Sequence, residues 1–303
     1  MQLNEEKKDK LKRVAAISSV SLALVLCLLK TGAFYYTNSL AVFSSMIDSL
    51  SDIFASLITF FAVRVSVRPA TFNYRYGYGK VEALSALFQS LFVVASGVFV
   101  LWDAILRIKN PVSIEQTTEG LFVMGFSLVS TIILVAFQKK VAKVTESQAI
   151  LADSMHYYVD ILTNFSIIIS LFSVKFFQVF WIDTAVAVLI AVYLLYNAYD
   201  LGRDAVRMLL DKELSEEIRN SVFKIVSGHV KGLQMHDLRT RSMGNFYVFE
   251  FHLEMDGNLT LNEAHAYTEE IEVLIRKVYP SAQIIIHQDP RGIDEERLDN
   301  ILV

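Results

Sequence analysis

The sequence predicts a membrane all-α six-helix transmembrane bundle followed by a small C-terminal α+β domain. Three observations predict it. Of the 303 residues, 53% are hydrophobic and only 20% charged, with a mean hydropathy of +0.41. That balance excludes a disordered chain and is unusual for a water-soluble globule. Six apolar runs each approach the roughly 20 residues that carry a helix across about 30 Å of hydrocarbon. The charge balance also changes sign along the chain. Residues 1–207 carry 18 basic and 15 acidic side chains, whereas residues 208–303 carry 10 and 17. The expected domains are therefore 1–207 in the membrane and 208–303 in water.

The helices are expected at about 14–36, 40–65, 81–105, 118–138, 148–173 and 178–200. Backbone groups in lipid must be satisfied internally, so each run reads as a continuous helix. Pro69, Pro111, Pro280 and Pro290 all fall outside these runs. The first run is longer than a signal-peptide core and a second follows at once, so it reads as a retained helix. Lys and Arg mark orientation. They crowd ahead of helix 1 (Lys7, Lys8, Lys10, Lys12, Arg13), around the second connection (Arg64, Arg68, Arg75, Lys80), in the fourth (Lys139, Lys140, Lys143) and after helix 6 (Arg203, Arg207, Lys212). Both termini are therefore expected in the cytoplasm. Tyr35 and Tyr36 fit an outer aromatic belt, towards which Lys30 is expected to snorkel.

Beyond residue 208 the periodicity changes. Ser215 followed by Glu216 and Glu217 reads as the start of a helix running to Ser227. Leu233–Arg241, Asn245–Met255 and Ala282–His287 read as strands, and Leu261–Val278 as an amphipathic helix. The order αββαβ implies a sheet with helices on one face, a ferredoxin-like arrangement. Its acidic charge is a poor match for phosphate backbones, so nucleic acid is excluded as a partner. Cys27 is the single cysteine, which removes intrachain disulfides and multi-cysteine zinc sites.

Ionisable residues in the middle of a membrane helix are costly and therefore informative. Helix 2 holds Asp48 and Asp52, and helix 5 holds His156 and Asp160, each pair at i and i+4 on one helix face. At 1.5 Å per residue, each pair lies about 12 and 18 Å from the start of its own helix, so two helices running in opposite directions bring them to one depth. Three carboxylates and an imidazole at one place repel or take up protons unless a cation joins them. Four N/O ligands suit tetrahedral zinc or a similar first-row ion. Asp153 and Asn164 extend the same stripe of helix 5 and read as flanking polar residues, Asp153 facing water at the inner mouth.

Five of the six histidines fall in the last hundred residues. His287 and Asp289 are i and i+2, hence on one face of a strand. His236 and His252 lie on neighbouring strands, and His265 lies in the first turns of the helix that follows. Such a cluster is able to hold metal, with Asp289 bridging two ions. His229 reads as an ordinary surface residue.

These motifs together resemble the cation diffusion facilitator family over almost the whole chain. The resemblance rests on Ser-Met-Ile-Asp48-Ser-Leu-Ser-Asp52, Ala-Asp-Ser-Met-His156-Tyr-Tyr-Val-Asp160, Tyr76-Gly-Tyr-Gly-Lys80-Val-Glu82 and His236-Asp-Leu-Arg-Thr-Arg241, with His252-Leu-Glu-Met and His287-Gln-Asp289-Pro in the tail. It implies a multi-pass protein of a bacterial plasma (inner) membrane that exports divalent metal from the cytoplasm in exchange for protons. Asp48, Asp52, His156 and Asp160 would form the transport site, for zinc first and then iron or cadmium. His236, His252, His265, His287 and Asp289 would form a cytoplasmic binuclear site where metal is a regulatory ligand. Lys80 and Asp211 match a salt bridge that helps to hold a homodimer. One departure is clear. Relatives carry an Asp and two His between helices 2 and 3, but Val65–Val81 holds no Asp, Glu, His or Cys, and Tyr74 and Tyr78 stand at the histidine positions. That loop site is expected to be absent.

Other classes fit less well. A metallohydrolase would want a His-Glu-x-x-His segment and an open ligand position; the segment does not occur, and the protein is not expected to be an enzyme. A passive metal channel would show no proton coupling, and a membrane metal sensor would bind metal at the tail without transporting it.

Overall fold

A computed structural model describes residues 5–37, 40–109, 118–177, 181–228, 234–292, 297 and 300. The chain forms two compact units, Met1–Val206 and Arg207–Val303. The first contains six long helices: α1 (Glu5–Thr37), α2 (Leu40–Ser66), α3 (Val81–Lys109), α4 (Thr118–Thr145), α5 (Gln148–Phe177) and α6 (Trp181–Leu209), the last reaching into the second unit. The helices outrun the apolar segments that predicted them. α1 starts nine residues earlier than residue 14, and α4 continues through Lys139, Lys140 and Lys143. Hydropathy marks where lipid begins, whereas Lys, Glu and Arg continue a helix readily once its backbone meets water.

Among the described residues, Glu6–Ala33, Ser49–Ser66, Val81–Trp102 and Gly125–Thr145 are long and apolar enough to cross a membrane. The polarity of this unit is inverted relative to a soluble bundle. Leu28, Phe99 and Leu189 are about 70% exposed (71%, 70% and 70%), while Ser19, Asp52, Ser56, Thr59, Gln89, Gln138 and Asp153 are buried. An amphipathic helix in water places those groups the other way round. The outer surface is a lipid-facing one, and the protein is a multi-pass membrane protein.

Small residues bring the helices close. Ala15 and Ala16 of α1, Ala62 of α2, Ala142 of α4 and Ala149 of α5 share one buried cluster, as expected where association rests on close packing rather than on expelling water. Gly202 of α6 lies so near Ser90 of α3 that a Cβ there would stand 2.9 Å from its hydroxyl.

The second unit runs α7 (Glu216–Ser227), β1 (Gln234–Ser242), β2 (Tyr247–Met255), α8 (Leu261–Val278) and β3 (Gln283–Pro290). β2 is central, antiparallel to β1 and parallel to β3, with α8 as the crossover that parallel pairing demands. Alternation divides the sheet. Phe249, Phe251, Leu253 and Met255 of β2 pack with Val222 and Val226 of α7 and with Ile271 and Ile275 of α8. The even-numbered positions of β2 fall on the other face. Thr260 and Glu263 close a reciprocal capping box at the start of α8, whereas the Ser215 side chain makes no capping bond. β3 continues three residues past His287, which carries Asp289 into the sheet.

Candidate metal centres

In the helical unit, the first centre joins α2 to α5. Asp52 and His156, 104 positions apart in sequence, are both buried (7% and 9% exposed), with His156 Nε2 3.2 Å from Asp52 Oδ1. Asp160 is half-buried one turn further along α5, and its charge reaches the imidazole together with those of Asp52 and Asp153. The structure thus brings Asp52 and His156 into contact, with Asp160 one turn further along α5; the Asp48 side chain lies outside the described residues, as does that of Asn164. An imidazole nitrogen and carboxylate oxygens converging inside a bundle form a ligand set for a borderline metal ion.

Two neighbours differ from expectation. Lys30 turns to α2 and donates to Ser49 Oγ at 2.7 Å, rather than only reaching out to the aromatic belt. Its ammonium thus stands beside the polar face of α2, where periodicity of a single helix gives no hint of it. Asp153 does not face water. It is fully buried, and its Oδ2 accepts from Ser19 Oγ of α1 at 2.6 Å and from Gln138 Nε2 of α4 at 2.5 Å. Ser19 also meets Ser56 of α2 at 2.8 Å, and Ser56 meets the Tyr157 hydroxyl at 2.7 Å. Nearer the start of α5 lies a second polar node. Lys12 Nζ donates to Glu82 Oε1 at 2.9 Å, Ser66 Oγ donates to the same oxygen at 2.8 Å, and Ser147 donates to Glu82 Oε2.

The second centre lies on the sheet face turned away from α7 and α8. The register aligns His236 with His252, His252 with His287, and Glu254 with Asp289. A bulge between His236 and Arg239, with Asp237 at φ +51, adds one residue to β1 and lets His236 face the cluster while Leu238 packs in the core. Asp289 sits in the middle: Oδ2 is 2.7 Å from His252 Nδ1 and 3.8 Å from His236 Nε2, and Oδ1 is 3.2 Å from His287 Nε2. Ligand atoms of His236, His252 and Asp289 all lie within 4.8 Å of one another, close enough for one ion. His287 flanks them. His265 points elsewhere, 68% exposed with Nε2 3.7 Å from Glu269 Oε1. His229 lies outside the described residues. Glu254, the acid of the His252-Leu-Glu-Met motif and not among the expected ligands, approaches His236 Nδ1 at 3.4 Å and is bonded by Arg297. Its spacing of two from His252 is the signal that could have found it.

The loop between α2 and α3 is held by other means. Tyr74 and Tyr78 stack at 4.9 Å, Tyr78 meets Thr71 at 3.1 Å, and Arg75 covers the Phe72 ring at 5.1 Å.

Residues 16–210 match the family described as the cation efflux transmembrane domain, and residues 214–291 match the cation efflux protein cytoplasmic domain. The chain belongs to the cation efflux family. The resemblance read from the motifs is borne out, and the chain is a divalent metal cation efflux transporter. Among its relatives, the cation-efflux pump FieF of Shewanella oneidensis is 39% identical over 282 residues, 93% of this chain and 95% of that one. FieF of Pectobacterium atrosepticum is 39% identical over 277 residues, 91% and 92% of the two chains. Among solved structures, the zinc form of the transporter CzrB is 32% identical, covering 28% of this chain and 99% of that one at a TM-score of 0.25.

Proposed function

We propose that this cation efflux protein takes a divalent ion, zinc first and iron or cadmium as alternatives, from the cytoplasm and releases it across a bacterial inner membrane in exchange for protons. The observation that carries the reading is the buried Asp52–His156 contact at 3.2 Å, with Asp160 one turn away. Asp48 is proposed as the fourth ligand. A metal needs its imidazole neutral and its carboxylates ionised, so binding and protonation compete for the same atoms. Exposing that site alternately to the two sides turns the competition into antiport, in the manner of rocking transporters with a mid-membrane site. Six helices span the bilayer with both termini cytoplasmic, as the Lys and Arg distribution favours.

The tail, residues 208–303, is proposed as a ferredoxin-like regulatory domain. It holds metal through His236, His252, His287 and Asp289, with His265 joining them only if α8 reorients its side chain away from Glu269, and steadies a homodimer. Lys80 and Asp211 are proposed to pair at the cytoplasmic surface in support of that dimer. The test is metal flux into proteoliposomes across a panel of ions, with and without a pH gradient, comparing wild type with Asp52→Ala. Flux that requires Asp52 and is driven by the gradient is expected. Flux indifferent to the gradient would mean a channel, and tail binding without flux would mean a sensor.

A further inference from the structure

Asp153 is a fully buried carboxylate that the transport site does not use and, unlike Glu82, it has no lysine bonded to it among the described residues. It lies three residues before His156 on α5, about 4.5 Å along the helix axis, between the transport site and the Lys12–Glu82 node. Its side chain is completely buried. Among the described residues no Lys or Arg pairs with it, since Lys12 is engaged by Glu82. A buried carboxylate without a cation is costly. Oδ2 is held by Ser19 and Gln138, but Oδ1 has no hydrogen-bond partner among the described residues. Among the buried acceptors that share that condition are Gln138 Oε1, on the side chain that bonds Asp153, and Gln89 Oε1, on the side chain that bonds Thr59. Thr59 itself stands within hydrogen-bonding reach of the Asp153 carboxylate. The layer therefore gathers buried oxygen acceptors that its own donors leave unused, a set of atoms able to coordinate a cation.

We propose that Asp153, with Gln138 and the Thr59–Gln89 pair, forms a second cation position, a waypoint that receives the transported ion on its way from the cytoplasm to Asp52 and His156. The assignment of direction rests on the proposed function above. Oxygen ligands alone suit a divalent ion that keeps part of its water, and they bind a borderline metal less firmly than a site containing imidazole. The waypoint is thus built to pass an ion on. Asp52, His156 and Asp160 lie next along the route, and Ser19, Ser56 and Tyr157 line the same layer from α1, α2 and α5.

The experiment uses full-length protein in detergent and manganese as an oxygen-seeking probe, read by loss of the free-ion paramagnetic resonance signal. Both named centres are weakened in a D52N/D160N/D289N background. One residual manganese per chain is expected, with affinity falling at least about tenfold on adding D153N and severalfold on adding Q138A. Thermal melting of each variant separates lost binding from lost folding. Should D153N fail to fold, Q138A decides alone. Manganese binding that is unchanged in folded D153N, or in folded Q138A when D153N does not fold, would overturn the waypoint. So would no residual binding in the background protein. Because the readout requires no transport, it stands or falls independently of proton-coupled flux in the wild type.

Discussion

The two candidate metal centres offer the same chemistry, imidazole and carboxylate, but they are assembled in opposite ways. In the helical unit, ligands at i and i+4 are placed by single helices and meet only because α2 and α5 pack. In the tail, adjacent strands deliver His236, His252 and His287 side by side through backbone pairing, and Asp289 follows two residues later. The first arrangement depends on helix packing, which can slide and tilt. The second depends on a hydrogen-bonded ladder, which cannot shift by one residue without turning every side chain to the other face. Under the proposed function the first site has to change its exposure, whereas the second has only to report occupancy.

The sharpest way to break this comparison is to remove one ligand from each centre. Asp52→Ala should abolish flux while leaving the fold intact, a loss exceeding the roughly 10–100-fold typical of an outer-shell partner. Flux assays on reconstituted protein measure it, and full flux in a folded variant would remove Asp52 from the site. Asp289→Ala should leave the helical site occupied but cancel protection of the sheet by zinc. In wild type, zinc at a hundredfold excess over its Kd should add about 2.7 kcal/mol to the form that binds it. Hydrogen exchange along β1, β2 and β3 should therefore slow with zinc, and this slowing should vanish in Asp289→Ala.

A smaller effect separates the tail histidines. His252 contacts Asp289 at 2.7 Å, whereas His265 is turned to Glu269. His252→Ala should accordingly weaken zinc binding by the tail more than His265→Ala, as titration calorimetry would measure. Equal losses would mean that α8 reorients when metal arrives.

The smallest expected effect lies at the start of α8, away from either centre. Glu263 accepts from the Thr260 backbone N–H and from its hydroxyl, which holds its carboxyl below the ordinary value of 4.5. A lowered value in the folded state means that the folded form is favoured above the ordinary value. That advantage is lost as pH falls through 4.5 towards the folded value. Glu263→Gln should flatten this acid limb of the tail's stability curve, and Thr260→Ala should cost about 1 kcal/mol as a lost helix cap. An unchanged acid limb in Glu263→Gln would show that the capping box contributes nothing in solution.

Much of this was legible in one dimension because helices and strands impose short periods. Apolar length located the helices, spacing of four put Asp52 near Asp48 and His156 near Asp160, and spacing of two joined His287 to Asp289. Leu261–Val278 is read to its final residue because its cap and its apolar stripe are both local. Other features depended on partners far away in sequence. Asp153 looked like a water-facing residue because nothing on α5 announces Ser19 of α1 or Gln138 of α4. Lys30 looked free to reach outwards because Ser49 belongs to another helix. Glu254 stands out among the acids of the tail only because the fold sets Arg297 and His236 against it. The sequence by itself determined which residues share a face, since backbone geometry repeats every two or 3.6 residues. Only the tertiary structure decided which faces meet, and so which carboxylates face an imidazole and which tie helices together, because burial and pairing are properties of packed surfaces rather than of any segment.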